Sequence, residues 1–508
     1  MKTIEMINLS KENFKMNNLK GLQSGTDVRG IVIKNEEMNS NFTDKEAREL
    51  IKGFLLWLKE KNDGDISIAI GCDSRLSGEG LKNSCIKELS KYGITIYDCG
   101  LATTPTMFMT TIMKKYACTG AVMITASHLP FYYNGMKFFT HKGGCEKEEI
   151  SRIIELANSP IEINKTGKIK KANLIDDYSK LLVNKIKEGT SRIKKKKPLE
   201  GLKIIVDAGN GAGGFFANKV LNELGADTKG SQFLEPDGTF PNHIPNPEDA
   251  SAMESISKAV LSSKADLGII FDADVDRAAI VSKDGFPINK NALIAMISAI
   301  VLEEHPGSTI VTDSITSDGL KKFIEELGGK HHRFKRGYKN VINEAIRLNN
   351  LGEESHLAIE TSGHAAIKEN YFLDDGAYLI AKLLIKMANM NNEGKDFISL
   401  IKNLEYPKES KVFRLPINTS NFKKYGEDLL KDLEKLAVEK EGWSLAKNNF
   451  EGIKVCFHEG WFLIRLSLHE PLLAINIESN KENGCEEVIK DLERFLKNYN
   501  KVDLSKIK

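Results

Sequence analysis

The sequence predicts an α/β protein of several domains, and three observations support this. Apolar, strand-like segments alternate with amphipathic, helix-like segments through most of the chain, which is the pattern of βαβ units. Polar motifs repeatedly follow an apolar segment directly, as they do at the ligand-binding edge of an open α/β sheet. A chain of 508 residues also exceeds what one hydrophobic core usually supports, so three or four domains are expected.

Strand and helix signals place four blocks along the chain. In the first block, strand-like segments at 66–71, 94–98 and 121–125 are separated by amphipathic stretches. A second block begins near residue 200, after a lysine-rich stretch that is typical of a solvated linker. A third begins near residue 305, and from about residue 406 the pattern predicts a small α+β domain. The predicted domains are 1–195, 196–303, 304–405 and 406–508.

Composition predicts a cytoplasmic protein with no nucleic-acid or membrane partner. With 72 basic and 70 acidic residues the formal net charge is +2, so no global field draws the chain to nucleic acid or to a membrane surface. No apolar run approaches the roughly 20 residues of a membrane helix, and the N-terminus lacks the apolar core of a signal peptide. The seven cysteines are scattered without a CxxC pair, which is typical of a reducing compartment.

The first candidate site follows the strand at 121–125, in TGAVMITASHLP (119–130). The apolar run stops at Ser127 and His128, and Lys137 follows after a short aromatic stretch. A strand end fixes such a hydroxyl and the loop exposes it, so Ser127 can carry a covalent group. The alternative is a strand followed by an ordinary polar loop.

The second candidate site is LGIIFDADVDR (267–277), where an apolar run ends in Asp272, Asp274 and Asp276 with Arg277 following. Alternate residues of an extended segment point the same way, so the three carboxylates can converge. They would repel one another without a cation between them, and their hard oxygens suit Mg²⁺ or Mn²⁺. This predicts a metal site rather than a solvated acidic turn.

Two other classes of site share this aspartate spacing. A calcium-binding EF-hand loop needs Gly and Glu where this sequence has Arg277 and Lys283, which excludes it. The haloacid-dehalogenase phosphatase motif fits better. It makes Asp272 the nucleophile and Asp374 and Asp375 candidate metal ligands, but it leaves Ser127 without a role, and it stays open as an alternative.

A glycine-rich segment also resembles a known motif, that of a dinucleotide-binding site. Residues 209–214 (GNGAGG) satisfy G-x-G-x-x-G after a strand, as a dinucleotide-binding turn would. Asp227 even lies at a plausible distance along the chain. No second nucleotide signal accompanies the motif, so we interpret it as a tight strand-to-helix turn.

The third candidate site is SHLAIETSGH (355–364), where a short strand opens into Glu360, Ser362 and His364. Glu and Ser oxygens suit sugar hydroxyls, and His can donate to phosphate or move a proton. Alone, Glu-x-Ser-Gly is more often a turn than a site. Its position matters more, because each of the three motifs sits where an apolar strand ends.

In this order, the three motifs resemble the α-D-phosphohexomutase family, which contains phosphoglucomutases and phosphomannomutases. Three further segments extend the resemblance: SGTDVRG (24–30), EPDGTFPNHIPNP (235–247) and KRGYK (335–339). Matches run from about residue 20 to 480. The resemblance implies three similar α/β domains with mixed sheets and a smaller C-terminal α+β domain around a central cleft.

The resemblance also implies a reaction, the interconversion of hexose 1-phosphate and hexose 6-phosphate by an isomerase of the intramolecular phosphotransferase type. Ser127 would be the phosphorylated residue, and a hexose 1,6-bisphosphate would be the intermediate and activator. One Mg²⁺ would be held by a phosphoserine oxygen and by Asp272, Asp274 and Asp276. The Thr-Ala-Ser-His context of Ser127 favours glucose or mannose phosphates, and no oligomeric state is predicted.

Further residues take implied roles at the same site. The groups that would neutralise the phosphoryl group are Arg277, Arg29, Lys137 and His128. Either Lys137 or His364 would move the proton of the sugar hydroxyl. The expected substrate-binding residues are Glu360, Ser362, Lys339, Arg465, Ser467 and His469.

The sequence departs from the family pattern at three places. The C-terminal phosphate loop reads RLSLHEP (465–471), with Leu468 in place of a Gly that lets backbone N–H groups wrap an anion. His469 could supply a donor there. Leu129 replaces an Asn after the reactive serine, and Tyr338 replaces a phosphate-contacting His of some members. These departures keep open a sugar-phosphate-binding protein that is phosphorylated on Ser127 and turns over little.

Overall fold

The protein is described here by a computed structural model covering residues 19–163, 166–467 and 470–507. It divides into two compact units. The first unit comprises Met1–Asn289 and Ser362–Phe397, and the second comprises Lys290–Thr361 and Ile398–Lys508. No helix in these described ranges is long and apolar enough to cross a membrane.

The first unit begins with an eight-stranded mixed sheet. Its order is β1-β2-β6-β5-β3-β4-β8, with β7 paired to β6, and β3, β4, β5 and β8 are parallel. The three strands predicted in this block are confirmed as β3, β4 and β5. The strands are β1 (Gln23–Ser24), β2 (Asp27–Ile31), β3 (Ser67–Cys72), β4 (Thr95–Leu101), β5 (Gly120–Ile124), β6 (Tyr133–Thr140), β7 (Gly143–Gly144) and β8 (Lys168–Lys171).

Helices accompany this sheet, and a large apolar core lies against its strands. The helix Asp44–Lys61 starts at a capping box formed by Thr43 and Glu46, which satisfies backbone N–H groups that a helix start leaves open. Its acidic first turn and basic last turn also suit the helix dipole. The helices are α1 (Asp44–Lys61), α2 (Gly78–Leu89), α3 (Thr104–Ile112), α4 (Lys147–Leu156) and α5 (Leu174–Gly189).

A second mixed sheet in the same unit has the order β12-β11-β10-β9. β9 and β10 are parallel, and β10 and β11 form an antiparallel pair whose residues are all buried. Its strands are β9 (Ile204–Asp207), β10 (Leu267–Phe271), β11 (Ala278–Ser282) and β12 (Pro287–Ile288). Its helices are a π-helical turn (Phe216–Leu221) that continues as α6 (Asn222–Leu224), and α7 (Ala250–Ser263).

The second unit holds two groups of strands. In the first group, β13 pairs in parallel with β14 and with β15, between helices. Its elements are α8 (Lys290–Glu304), β13 (Thr309–Asp313), α9 (Asp318–Glu326), β14 (Lys330–Phe334), α10 (Tyr338–Asn350) and β15 (Leu357–Ile359). The chain then re-enters the first unit as β16 (Ala365–Ile367), antiparallel to β17 (Leu373–Asp374), and as α11 (Gly376–Asn392).

The C-terminal region is an antiparallel sheet of order β18-β22-β21-β20-β19, with its own apolar core. Its elements are β18 (Glu409–Pro416), α12 (Phe422–Glu439), β19 (Ser444–Leu445), β20 (Ile453–Phe457), β21 (Gly460–Leu466), β22 (Leu472–Ser479) and α13 (Gly484–Leu496). The predicted fold class is therefore confirmed: three α/β domains with mixed sheets and a further β-rich C-terminal region.

Candidate active site

Ser127 lies just beyond the end of β5, in a buried and conformationally unusual position. Its φ of 52° is left-handed, a conformation that costs a non-glycine residue about 1–2 kcal/mol. The hydroxyl donates to Asp272 Oδ2 at 3.1 Å and accepts from Arg277 Nη2 at 2.9 Å. The structure therefore joins the first and second candidate motifs at one oxygen atom.

The loop after Ser127 is held by the buried guanidinium of Arg75. Arg75 Nη1 donates to the carbonyl oxygens of Pro130 and Tyr133 at 2.9 and 3.0 Å. Its Nη2 donates to the carbonyl of Leu129 at 2.6 Å and to the carbonyl of Ser127 itself. One side chain thus satisfies four backbone acceptors of the loop that carries the reactive hydroxyl.

Asp73 contacts both Arg75 and Thr125 and so helps to hold the Ser127 loop. It pairs with Arg75 Nε at 3.3 Å and accepts a hydrogen bond from Thr125 Oγ1 at 2.6 Å, while Thr125 Oγ1 accepts from the Ser127 N–H at 2.9 Å. Burial raises the pKa of Asp73 to about 6, although Arg75 and Thr125 act to lower it. Asp73 and Arg75 were not among the residues predicted for the site. The signal was present, since β3 also ends directly in polar residues.

The three aspartates follow β10 and are all buried. Each offers a ligand atom that lies within 4.8 Å of the others. The predicted convergence is therefore observed, but its expected cause was wrong. The segment forms a turn rather than extended backbone, with left-handed Val275 (φ 65°) between Asp274 and Asp276.

The glycine-rich segment 209–214 supports this acidic turn. A Cβ on Gly211 would lie 2.7 Å from the backbone of Ala273, which is closer than real Cβ atoms come, so only glycine fits. The Ala212 N–H also donates to the Ala273 carbonyl at 2.9 Å. The segment is thus a turn between β9 and the following helical segment, as interpreted from the sequence, and it also packs against the acidic loop, which was not predicted.

The donor set of the acidic turn fits a divalent cation. Asp274 Oδ1 is buried and has no hydrogen-bond partner in the described part of the chain. Asp276 Oδ1 is also buried, and its ion-pair contacts are long, 3.5 Å to His364 Nε2 and 3.9 Å to Arg277 Nε. Buried carboxylate oxygens without partners are costly, and a hard cation is the group that satisfies several at once. Asp272, Asp274 and Asp276 are therefore the residues that would hold a metal.

Lys137, on β6, supplies positive charge next to the same turn. Its Nζ lies 3.0 Å from Asp274 Oδ2 and 2.5 Å from Asp276 Oδ2. Burial acts to raise the pKa of Asp276, but the charges of Lys137 and His364 outweigh it and hold that pKa well below its usual range. By contrast, burial and the neighbouring carboxylates raise the pKa of Asp272 well above its usual value.

The two candidate histidines have different surroundings. Burial and the charge of Arg277 lower the pKa of His128 to about 2, so this ring is neutral near pH 7. Its Nδ1 lies 3.3 Å from Ser127 Oγ and accepts from Arg277 Nη2. His364 is oriented by Ser362 Oγ at 2.9 Å from its Nδ1, and its Nε2 lies 3.5 Å from Asp276 Oδ1.

The first unit also contains Arg29 and the two aspartates, Asp374 and Asp375, that the phosphatase alternative would use as metal ligands. Arg29 Nη2 pairs with Asp27 Oδ2 at 2.8 Å, and its charge also acts to lower the pKa of His128. Asp374 can form a ligand cluster with Asp276 and His364. Asp375 instead caps α11, accepting from the Tyr378 N–H at 2.9 Å, so it is a structural residue.

The second unit gathers part of the predicted substrate-binding set. Glu360, at the end of β15, accepts from the Gly337 N–H at 2.6 Å. Arg336 N donates to Glu451 Oε1 at 3.2 Å, and Arg465 Nε lies 3.9 Å from the same oxygen. These contacts bring Glu360, the 335–339 loop and the start of the C-terminal phosphate loop into one network.

Asp313 and Glu451 belong to the same network and were not among the predicted residues. Asp313 Oδ2 lies 3.4 Å from Arg336 Nε, and it accepts from Thr361 Oγ1 at 2.6 Å. Burial raises the pKa of Asp313 to about 7, with Arg336 opposing and Glu360 adding to the shift. Asp313 had the same signal as the recognised motifs, since it ends the apolar strand β13.

The remaining predicted residues are placed as follows. Lys339 lies half-buried in the first turn of α10. Ser467 follows β21, and its hydroxyl accepts from the Glu470 N–H at 3.3 Å. His469 and Leu468 lie outside the described residues.

A buried hydroxyl between an arginine and a carboxylate cluster fit for a divalent cation, at the strand ends of α/β sheets, defines a phosphoryl-transfer enzyme. Comparison with family models identifies which kind. The models for α/β/α domains I, II and III of phosphoglucomutase/phosphomannomutase match residues 20–162, 176–285 and 289–405. The chain belongs to the phosphoglucomutase/phosphomannomutase family, as the motifs predicted.

Individual relatives agree along nearly the whole chain. The chain is 31% identical over 479 residues to a phosphoglucomutase/phosphomannomutase of Thermococcus kodakarensis, covering 92% of this chain and 98% of the relative. It is 29% identical over 470 residues to a phosphomannomutase/phosphoglucomutase of Pseudomonas putida, covering 92% and 93%. A crystal structure of a phosphoglucomutase/phosphomannomutase family protein from Burkholderia thailandensis superposes with a TM-score of 0.77 at 25% identity, covering 94% and 97%.

Proposed function

We propose that this protein is a hexose phosphate mutase that transfers a phosphoryl group through Ser127. The observation that carries the proposal is the position of the Ser127 hydroxyl, 3.1 Å from Asp272 Oδ2 and 2.9 Å from Arg277 Nη2. The family membership supports a mutase rather than the phosphatase or the non-catalytic binder. Glucose and mannose phosphates are the proposed substrates, following the names of the relatives.

In the proposed reaction, Ser127 carries a phosphoryl group and gives it to a hydroxyl of the bound hexose phosphate. The P–O bond to Ser127 breaks as the bond to the sugar oxygen forms, and the hydroxyl proton leaves. The product is a hexose 1,6-bisphosphate. The bisphosphate then reorients, and the P–O bond to its other sugar oxygen breaks as a new P–O bond to Ser127 forms. The proton taken up in the first step returns to that sugar oxygen, which leaves the isomeric hexose phosphate and phosphorylated Ser127.

Charge development at the phosphoryl oxygens decides what the neighbouring residues do. Arg277 would donate to these oxygens, because its Nη2 already reaches the serine hydroxyl. Asp272, Asp274 and Asp276 would hold Mg²⁺, which when bound would neutralise charge on the same oxygens. Neutral His128 would contribute a hydrogen bond rather than a charge.

For the proton, we assign His364 rather than Lys137. Lys137 lies as an ammonium between two carboxylates at 3.0 and 2.5 Å, and an ammonium has no lone pair to accept a proton. His364 Nδ1 lies 2.9 Å from Ser362 Oγ, and its Nε2 lies 3.5 Å from Asp276 Oδ1 and 3.6 Å from Asp374 Oδ2. The two carboxylates would stabilise the imidazolium that forms when the ring takes up the proton. Arg29 would add positive charge, while Glu360, Lys339, Arg465, Ser467 and His469 stay the proposed contacts of the sugar and of its second phosphate.

A panel assay tests this proposal. The protein is supplied with Mg²⁺ and a catalytic amount of glucose 1,6-bisphosphate, and formation of the 6-phosphate is followed from glucose, mannose and glucosamine 1-phosphates. Turnover of the glucose or mannose ester is expected, with complete loss in Ser127→Ala. Ser74→Ala is the matched control, since it removes a buried hydroxyl without a hydrogen-bond partner in the described structure. No turnover of any ester would overturn the proposal.

A further inference from the structure

The second unit contains a cavity of about 460 Å³ that the proposed reaction does not use. It lies between the edge strand β14, helix α9 and strand β20, and is closed on one side by the segment before β20. Its lining residues do not include Glu360, Lys339, Arg465 or Ser467. The cavity is therefore a separate feature of the described second unit.

Positive charge dominates the lining of this cavity. Arg333 and Lys321 have carboxylate partners within it, Asp318 at 2.8 Å and Glu325 at 3.9 Å. Lys447 and Lys454 also line it and have no carboxylate within 4.0 Å among the described residues. The cavity thus holds more cationic groups than its own carboxylates neutralise.

Lys454 is the most unusual of these groups because it is 93% buried, with 7% of its surface exposed. Its Nζ lies 3.7 Å from the centre of the Trp461 ring and 3.5 Å from the Ser314 carbonyl oxygen. The carboxylates that act on it electrostatically are engaged elsewhere, Asp318 with Arg333 and Glu478 with Trp461 Nε1 at 2.9 Å. Burial and the charge of Arg333 lower the pKa of Lys454 to about 7, as expected for an ammonium that lacks a counterion.

The other wall of the cavity is aromatic. The Phe450 ring lies 4.8 Å from the Phe334 ring and 5.5 Å from the His332 ring, and all three residues line the cavity. Phe450 keeps 37% of its surface exposed. A flat or apolar group could pack on it while a charged group reaches Lys454.

We propose that this cavity binds a small organic anion, with its phosphate or carboxylate group received by Lys454 and Lys447 and its body packed on Phe450. Ser314 connects the cavity to the substrate-binding network. Its carbonyl faces Lys454, and its hydroxyl donates to Glu451, which also accepts from the Arg336 N–H. Occupancy of the cavity would therefore change the KM of the mutase reaction, and this effect rests on the proposed function. Binding of the anion does not depend on the proposed function.

Cys456 gives a direct readout of binding because it lines the cavity and is half-buried, whereas the six other cysteines, all among the described residues, are buried. Its alkylation by iodoacetamide is measured by peptide mass spectrometry, with inorganic pyrophosphate and citrate as separate probes. At least one probe is expected to slow alkylation of Cys456 with a saturating concentration dependence. Protection by pyrophosphate alone would assign a phosphate ligand, and protection by citrate alone a carboxylate ligand.

Lys454→Met tests the role of the ammonium, since methionine keeps the apolar packing on Trp461. Its apparent affinity for the protecting probe should fall about tenfold or more. Lys440→Met is the matched control, because Lys440 also lies over a tryptophan ring, 5.2 Å from the centre of Trp443, outside the cavity. Lys447→Ala, at an exposed position, gives a second variant should Lys454→Met not fold.

Two results would overturn the proposal: no protection of Cys456 by either probe, or equal protection in wild type and in the folded Lys454 and Lys447 variants. Protection is measured without turnover and is expected unchanged in Ser127→Ala. Failure of the panel assay would therefore leave this result standing, and failure of protection would leave the mutase proposal standing.

Discussion

The charged groups of the two units are arranged in different ways. In the first unit, Lys137 Nζ lies 2.5 Å from a carboxylate oxygen of Asp276, and Arg277 Nη2 lies 3.1 Å from Asp272 and 2.9 Å from the Ser127 hydroxyl. In the second, Arg336 and Arg465 lie 3.4 and 3.9 Å from their carboxylates, and Arg465 Nε is buried without a hydrogen-bond partner in the described structure. The first arrangement fixes a reactive oxygen, whereas the second leaves a guanidinium donor for a ligand. Bond making and ligand binding thus place different demands on similar residues.

The largest effect should come from breaking the closed arrangement at Arg277. Arg277→Lys removes the fixed pair of donors that reaches both Ser127 and Asp272. We expect kcat to fall about 10³-fold, the typical cost of losing a donor aimed at developing charge. Steady-state kinetics measure this. A variant that keeps kcat within a fewfold of wild type would show that Arg277 is not needed in the transition state.

The next effect concerns the support under the Ser127 loop. Arg75→Met leaves Asp73 buried without its partner and four carbonyl oxygens without a donor. Breaking a buried ion pair from one side costs about 3–5 kcal/mol of unfolding free energy. Denaturant unfolding measures it, and Arg152→Met, which removes a solvent-screened ion pair at the surface, is the control expected to leave the unfolding free energy nearly unchanged. Equal losses in both variants would contradict the assigned support.

A smaller effect should distinguish the second unit. Arg465→Met removes the guanidinium that we propose binds the second phosphate of the substrate. Losing a charge-assisted hydrogen bond of about 1.5–3 kcal/mol should raise KM by about 10–100-fold with little change in kcat. A fall in kcat at unchanged KM would instead place Arg465 with the transition-state groups of the first unit.

The smallest effect is a pH dependence of stability from His243. His243 Nε2 lies 3.0 Å from Asp207 Oδ2. Three residues further along the chain, Asn246 Oδ1 accepts a hydrogen bond from Arg277 Nη1 at 3.2 Å. Burial acts to lower the pKa of His243, but the hydrogen bond and charge of Asp207 raise it overall. The pair therefore stabilises the fold fully below about pH 6.5, the unperturbed pKa, and the contribution is lost as pH rises through the raised value.

Unfolding of wild type and His243→Asn across this pH range measures the contribution. The difference in unfolding free energy should be about 1 kcal/mol at the acid end and should shrink toward the alkaline end. A difference that grows with pH would mean that the folded state holds His243 neutral.

One rule recovers much of the site from the sequence, because functional loops follow apolar strands in α/β sheets. It located Ser127, Asp272 and Glu360, and the structure puts Asp73 and Asp313 at equivalent strand ends. Those two were overlooked because a lone aspartate after a strand has no distinctive spacing. The α/β class followed from the same strand and helix periodicities.

Contacts between residues far apart in the sequence could not be predicted. The four carbonyl acceptors of Arg75 lie far along the chain from it, and no local pattern encodes them. Left-handed backbone is usually indicated by glycine, but here the left-handed residue is Val275. The acidic segment was therefore expected to be extended. Likewise, Glu451 lies in a different strand group from Arg336 and Ser314, and only the tertiary fold brings them together.

Transfer of phosphate to Ser127 is the central claim and can be measured directly. The protein is incubated with Mg²⁺ and glucose 1,6-bisphosphate, and the modified residue is located by intact-mass and peptide mass spectrometry. We predict one phosphoryl group per chain, on Ser127, and none in Ser127→Ala. A phosphoryl group on Asp272 or on any other residue, or an unmodified wild-type chain that still turns over hexose phosphates, would contradict the account.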